Sequence, residues 1–151
     1  MRQQEQEITD RKEIESLIDR AEVVRIGLTG KDGPYIIPMN FAYNNGVFYL
    51  HSASEGKKIE MLKTDSRVCV ELDETGSFQE GQKPCKGDFS YSSVIAFGNG
   101  EFINSWEEKA AALSLITRKY SGQDYCFTEK EVSRVTVVKV ICTQITGKHD
   151  G

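Results

Sequence analysis

The chain has 151 residues, 38% of them hydrophobic and 28% charged, and a net charge of −4. These values fit one soluble globular domain with a sizeable core, and the acidic balance argues against a nucleic-acid binder, which would carry an excess of Lys and Arg. No apolar run approaches the roughly 20 residues that span a bilayer, and Met1 to Glu7 lacks the apolar stretch of a signal peptide, so a cytoplasmic location away from membranes is expected.

Asp10 to Ala21 reads as a helix. Its apolar Ile14, Leu17, Ile18 and Ala21 recur at helical spacing, and Thr9 or Asp10 can cap its start. Val23 to Leu28 reads as a strand, and Lys31-Asp32-Gly33-Pro34 as a turn. Tyr35 to Tyr43 forms a second strand with Pro38 inside it. Proline cannot donate to a ladder, so Pro38 predicts a bulge, an edge, or a place where a ligand replaces a strand. Asn44-Asn45-Gly46 is a strong hairpin signal before the returning strand Val47 to Leu50.

A short helix is expected from about Gly56 to Lys63, then a strand from Arg67 to Leu72. Asp73 to Asp88 is rich in glycine and charge and reads as a long loop, either a cover for a pocket or a disordered surface loop. Phe89 to Ile103 is a long strand, bent near Gly98-Asn99-Gly100. Ser105 and Glu108 form a capping box that opens the longest helix, with Trp106 as a packing residue. Val132 to Ile145 is the closing strand, and residues 1–9 and 148–151 read as loose tails. Strands joined by tight turns make an antiparallel sheet. The fold class is therefore mainly β: a β-barrel with peripheral helices, in a single domain over residues 1–151.

The segment His51-Ser52-Ala53-Ser54-Glu55-Gly56-Lys57-Lys58 is the most informative. It carries a strand end into a helix start. Helix N-termini present unpaired N–H groups and the positive end of the macrodipole. Small residues admit an anion, and lysines match its charge. This predicts a phosphate seat, set against the plainer reading of two solvated lysines on a helix face. His51 is the one candidate for catalytic work, by ring-edge hydrogen bonding, protonation of substrate or axial ligation of a haem. The plainer reading is a strand-end histidine bonded to backbone. No metal site is expected, because no ligands stand at recognisable spacing. No Gly-x-Ser-x-Gly elbow appears. Cys69 and Cys142 fall in apolar strand-like runs and read as core residues, whereas Cys85 and Cys126 fall in loops.

Five segments together carry a resemblance. They are Tyr35-Ile36-Ile37-Pro38-Met39-Asn40-Phe41, the Asn-Asn-Gly hairpin, His51 to Lys58, Arg67-Val68-Cys69-Val70-Glu71, and Tyr91-Ser92-Ser93-Val94-Ile95-Ala96-Phe97-Gly98. Over residues 10 to 147 the chain resembles the pyridoxamine 5′-phosphate oxidase-like split-barrel flavoproteins, in particular their nitroimidazole-resistance (Nim-like) branch. The resemblance implies a six-stranded antiparallel split barrel that forms a homodimer with FMN at the interface. FAD or haem is the alternative cofactor. It places Lys57 and Lys58 on the phosphate, Ser52 and Ser54 on the phosphate or ribityl chain, and Pro38, Met39, Asn40 and Phe41 along the flavin ring. Tyr91, Ser92 and Ser93 would reach the cofactor from the partner subunit. The implied activity is FMN-dependent reduction of a small electron-poor molecule such as a nitroaromatic, and the alternative is a non-catalytic flavin- or haem-binding protein. The C-terminal Arg-and-His substrate motif of true pyridoxamine phosphate oxidases is absent, so vitamin B6 oxidation is not expected.

Overall fold

The computed structural model describes residues 4–81 and 83–150. A short strand, β1 (Glu7–Ile8), precedes helix α1 (Arg11–Arg20). The Asp10 side chain caps α1 by accepting from the Lys12 N–H, and Ile14, Leu17 and Ile18 form its buried face. Four strands follow: β2 (Val24–Gly30), β3 (Gly33–Met39), β4 (Phe41–Asn44) and β5 (Val47–Ser52). Asn45 and Gly46 both take positive φ at the β4–β5 turn, as an Asn-Gly hairpin requires. Helix α2 (Lys57–Thr64) leads into a long hairpin of β6 (Arg67–Gln79) and β7 (Asp88–Phe102). Helix α3 (Trp106–Ser121), the short α4 (Glu129–Val132) and β8 (Thr136–Asp150) complete the chain. Ser105 caps α3 by accepting from the Glu108 N–H.

Among the described residues the eight strands form one antiparallel sheet in the order β3-β2-β6-β7-β8-β5-β4, with β1 added against β8. The order explains the shape. The chain leaves one edge strand, β3, and enters the opposite edge strand, β4, through Asn40 alone. The sheet must therefore curl until its two edges nearly meet, which gives a barrel left open at Asn40. Pro38 lies in the edge strand β3, where a residue without N–H costs no ladder bond. The barrel interior holds Ile26, Phe41, Phe48, Val70, Val94 and Val140, and α1 packs Leu17 and Ile18 against it. A second cluster of Ile103, Ala112, Leu113, Val132 and Val137 seats α3 and α4 on the outside.

Four expectations need correction. The predicted loop from Asp73 to Asp88 is mostly ladder. Its residues continue β6 through Gln79 and pair with β7 up to Gln79↔Asp88, with a register shift between Thr75 and Phe78. Composition misleads here because this end of the hairpin is exposed and needs no apolar alternation. A Phe78–Phe89 contact, with ring centroids 5.2 Å apart, marks its outer end. The expected tails are also partly ordered. β8 runs to Asp150 beside β7, and Glu7 and Ile8 pair with Lys148 and Gly147, burying Ile8. Residues 1–3 and 151 lie outside the described part. Val132 ends α4 rather than starting the last strand, because Thr128 and Glu131 make a full capping box just before it. Finally, the expected six strands become eight, since Tyr35–Tyr43 breaks at Asn40 and β1 is added. The bend expected near Gly98 is present as a register shift between Phe97 and Gly98. A Cβ on Gly98 would lie 2.8 Å from the Ile141 carbonyl carbon, which explains the glycine.

Candidate functional site

β5 ends at Ser52, and the chain turns through Ala53, Ser54 and Glu55 into α2. Gly56 stands at the helix N-cap with φ 134° and ψ 170°, a conformation open to glycine and strained for other residues. It offers no side-chain acceptor to the first turn. The start of α2 is thus a set of N–H groups without a side-chain cap, carrying the positive end of the helix. Ser52 Oγ is buried beside it with no hydrogen-bond partner. A lone buried hydroxyl costs about 1–3 kcal/mol, so an unmatched donor here points to an absent acceptor.

Lys57 and Lys58 diverge. Neighbours on a helix point about 100° apart. Lys58 is half-buried and lines the same recess as Met39, His51 and Ser52. Lys57 turns toward β3, where its Nζ lies 4.5 Å from the centroid of the Tyr35 ring. Met39, His51, Ser52 and Lys58 are therefore brought together, Ser54 sits exposed in the connecting turn, and Lys57 serves the other side. The recess continues inward as an apolar gap of about 20 Å³ between residues such as Ile26, Leu50 and Val138. That space suits about one water molecule and no flavin. A ring-sized ligand must lie on the outer, open side.

The open edge of β3 supplies such a surface. Pro38 opposes Arg25 in the ladder. Because proline has no N–H, this is a pair without ladder bonds at Pro38, and the alternation turns the Ile36 peptide groups to the free edge. Ile36 is 68% exposed, and Pro38 and Asn40 are exposed too. Phe41 departs from expectation. Its ring is fully buried against Phe48, 5.7 Å between centroids, and so cannot lie on a ligand. Its N–H is already given to the Tyr120 hydroxyl at 3.0 Å.

Tyr91, Ser92 and Ser93 lie far from α2 within one chain. Ser52 stands opposite Thr136 on β8, whereas Ser92 stands opposite His149 near the other end of that strand. Around them sequence reasoning missed two residues. The Lys148 ammonium donates to the Tyr91 hydroxyl, and Ser92 Oγ shares a hydrogen bond of 2.9 Å with His149 Nδ1. Continuing the strand alternation past Ile145 would have found them.

Among the described residues no three His, Cys, Asp or Glu side chains cluster as a metal site. Cys69 and Cys142 are half-buried, and burial pushes both thiols up, Cys142 to about 11, which leaves little thiolate. Cys85 and Cys126 are exposed.

The sequence matches the pyridoxamine 5′-phosphate oxidase family over residues 10–149. The chain belongs to that family. Among solved structures it is similar to a candidate 5-nitroimidazole antibiotic resistance protein from Bacteroides thetaiotaomicron, with 36% identity, 96% of this chain and 90% of the other covered, and a TM-score of 0.82. It shares its fold with a flavocytochrome from Azotobacter vinelandii (16% identity, 100% and 72% covered, TM-score 0.85). The same holds for an FAD- and haem-binding protein from Mycobacterium smegmatis (17% identity, 96% and 73% covered, TM-score 0.85). A search of curated proteins finds no match. The family and the sheet topology bear out the split-barrel resemblance read from the sequence.

Proposed function

We propose that this chain binds FMN as a homodimer, with the cofactor at the subunit interface, and uses it in the cytoplasm to reduce small electron-poor compounds, nitroaromatics among them. One observation carries the reading: the start of α2, with no side-chain cap, beside the unpartnered Ser52 hydroxyl and Lys58. Those groups fit a phosphate. The N–H groups of the first turn and Ser52 would donate to its oxygens, and the Lys58 ammonium would balance its charge. The exposed edge at Ile36, Pro38 and Asn40 suits a flat ring with polar edges. Bound FMN supplies the hydride or electron transfer, so the protein needs no nucleophile of its own. Its residues have to hold the ring, exclude water and shape a pocket. Likeness to the nitroimidazole-resistance protein supports the substrate class. Among the described residues no helix is long and apolar enough to cross a membrane.

A haem-binding or non-catalytic role is the second reading. His51 is exposed at the end of β5, and one relative in fold binds both FAD and haem. The visible spectrum of the purified protein, followed by FMN titration, separates these. Flavin bands or tight FMN uptake are expected. A Soret band would move the assignment to haem and His51, and neither chromophore nor uptake would end the flavin reading. Turnover with a reduced nicotinamide donor then distinguishes an enzyme from a binder.

A further inference from the structure

The last turn of α3 reaches the open corner of the barrel. The Tyr120 hydroxyl accepts from the Phe41 N–H at 3.0 Å and donates to the Glu22 carbonyl at 2.7 Å. Beside it the Lys119 ammonium donates to the Asp19 carbonyl at 2.8 Å and lies 4.4 Å from the Phe41 ring centroid. Gly122, at φ 70°, ends the helix immediately afterwards. Asn40, Lys119 and Tyr120 line one open cleft of about 560 Å³.

The bond to Phe41 has a topological meaning. β4 pairs with β5 on one side and has a free edge on the other. A backbone N–H above a fully buried side chain needs an acceptor. The β2–β3 register, Val24↔Met39, carried two residues further sets Glu22 opposite Phe41, so a continued ladder would give the Phe41 N–H to the Glu22 carbonyl. Here the phenol oxygen takes that place. It satisfies one donor and offers no ladder to continue. The other phenol bond ties the same oxygen to the residues leading into β2. The position of the split is thereby fixed at Asn40.

We infer that Tyr120 is a positioning residue that holds the Pro38–Phe41 segment open at Asn40 for the flavin ring. The inference rests on the flavin reading above. Tyr120→Phe keeps the ring and removes both hydrogen bonds. The test titrates FMN and riboflavin into the full-length wild type, Tyr120→Phe and Lys58→Ala, and records the spectrum of the bound flavin. Tyr120→Phe should weaken both ligands by the same factor, about three- to tenfold for one neutral hydrogen bond, and shift the visible bands. Lys58→Ala should weaken FMN alone. Unchanged affinity and spectrum in Tyr120→Phe, even with a lower melting temperature, would reduce Tyr120 to an anchor for α3 and overturn the inference while the flavin reading stands. A wild type that takes up neither flavin overturns both. Should Tyr120→Phe not fold, hydrogen exchange on the wild type decides. Phe41 N–H should be protected before FMN is added, and Asn40 N–H only afterwards. Free exchange at Phe41 until flavin binds would sink the idea.

Discussion

The two adjacent lysines at the start of α2 should behave differently when removed one at a time. Lys58 shares a recess with the unpartnered Ser52 hydroxyl, whereas Lys57 is held over the Tyr35 ring. A charge-assisted hydrogen bond is worth about 1.5–3 kcal/mol, and Lys58 is half-exposed, so the lower end applies. Lys58→Ala should therefore weaken FMN about tenfold, since ~1.4 kcal/mol is a factor of ten. Lys57→Ala loses an exposed cation–π contact worth about 0.5–1 kcal/mol and should change FMN affinity less than about threefold. Riboflavin lacks the phosphate and should bind both variants like the wild type. Flavin fluorescence quenching reads all these affinities, and repeating it from 0.05 to 0.5 M salt should shrink the Lys58 effect, because the Debye length falls below about 10 Å above 0.1 M. Equal losses for FMN and riboflavin would show that Lys58 does not meet the phosphate. Equal losses from Lys57→Ala and Lys58→Ala would refute the divergence of the two side chains as the deciding feature.

Three further outcomes are expected. Ser52→Ala removes a buried hydroxyl without a partner, relieving about 1 kcal/mol of desolvation and raising the flavin-free melting temperature by roughly 2–4 °C, while FMN binds about fivefold more weakly. A lower melting temperature with unchanged FMN affinity would make Ser52 an ordinary structural serine. Asp65 is held at about 2, against an ordinary 3.8, chiefly by hydrogen bonds from the Arg67 guanidinium. A depressed carboxyl contributes stability that is complete above its unfolded value and fades as pH falls through the folded one. Asp65→Asn should thus be less stable than the wild type in urea at pH 7, and the gap should close between about pH 4 and pH 2. A gap that persists at pH 2 would assign the loss to something other than this ion pair. Gly98→Ala should destabilise by about 2 kcal/mol or more in urea unfolding, because its methyl meets the Ile141 backbone at the bulge. A neutral result would mean that the two strands separate freely there.

Legibility in the sequence followed the strength of local signals. α1 announced itself through Asp10 and the spacing of Ile14, Leu17 and Ile18, and the Asn45-Gly46 turn required positive φ. Pro38 correctly marked an edge, because a missing N–H is a property of the residue itself. The outer half of the β6–β7 hairpin was invisible, since strands exposed on both faces show no period-two pattern and pair only through backbone groups. At the site, the small residues and lysines around Gly56, on which the proposed phosphate seat rests, were visible in the sequence. The divergence of Lys57 from Lys58 was not, for it depends on Tyr35 standing across the sheet. Tyr120 was equally hidden. Its partners Glu22 and Phe41 are distant in sequence, and both bonds go to backbone atoms, which carry no residue-type signal.

The remaining candidates bear on why two chains are proposed. From Thr136, which faces Ser52, to His149, which faces Ser92, β8 spans about 40 Å of extended strand. Tyr91, Ser92 and Ser93 thus stand toward the other end of β8 from the proposed phosphate seat, and the homodimer reading assigns them to the cofactor of a second copy. The proposal therefore predicts subunit complementation. Lys58→Ala damages the phosphate seat in its own chain, and Ser92→Trp fills the space that the other chain's strand would present. Each homodimer should bind FMN poorly. In a mixed dimer one site receives both lesions and the other receives none, so co-expressed, differently tagged chains should recover one tight FMN per dimer. If each site were built within one chain, every site in the mixed dimer would carry one lesion, and no tight binding would return. Spectrophotometric titration of the doubly purified dimer counts the sites directly. Recovery of one site supports the shared interface and brings Lys148 and His149, which hold Tyr91 and Ser92, into the cofactor's surroundings. No recovery, with both parent variants folded, removes the β7 residues from the site.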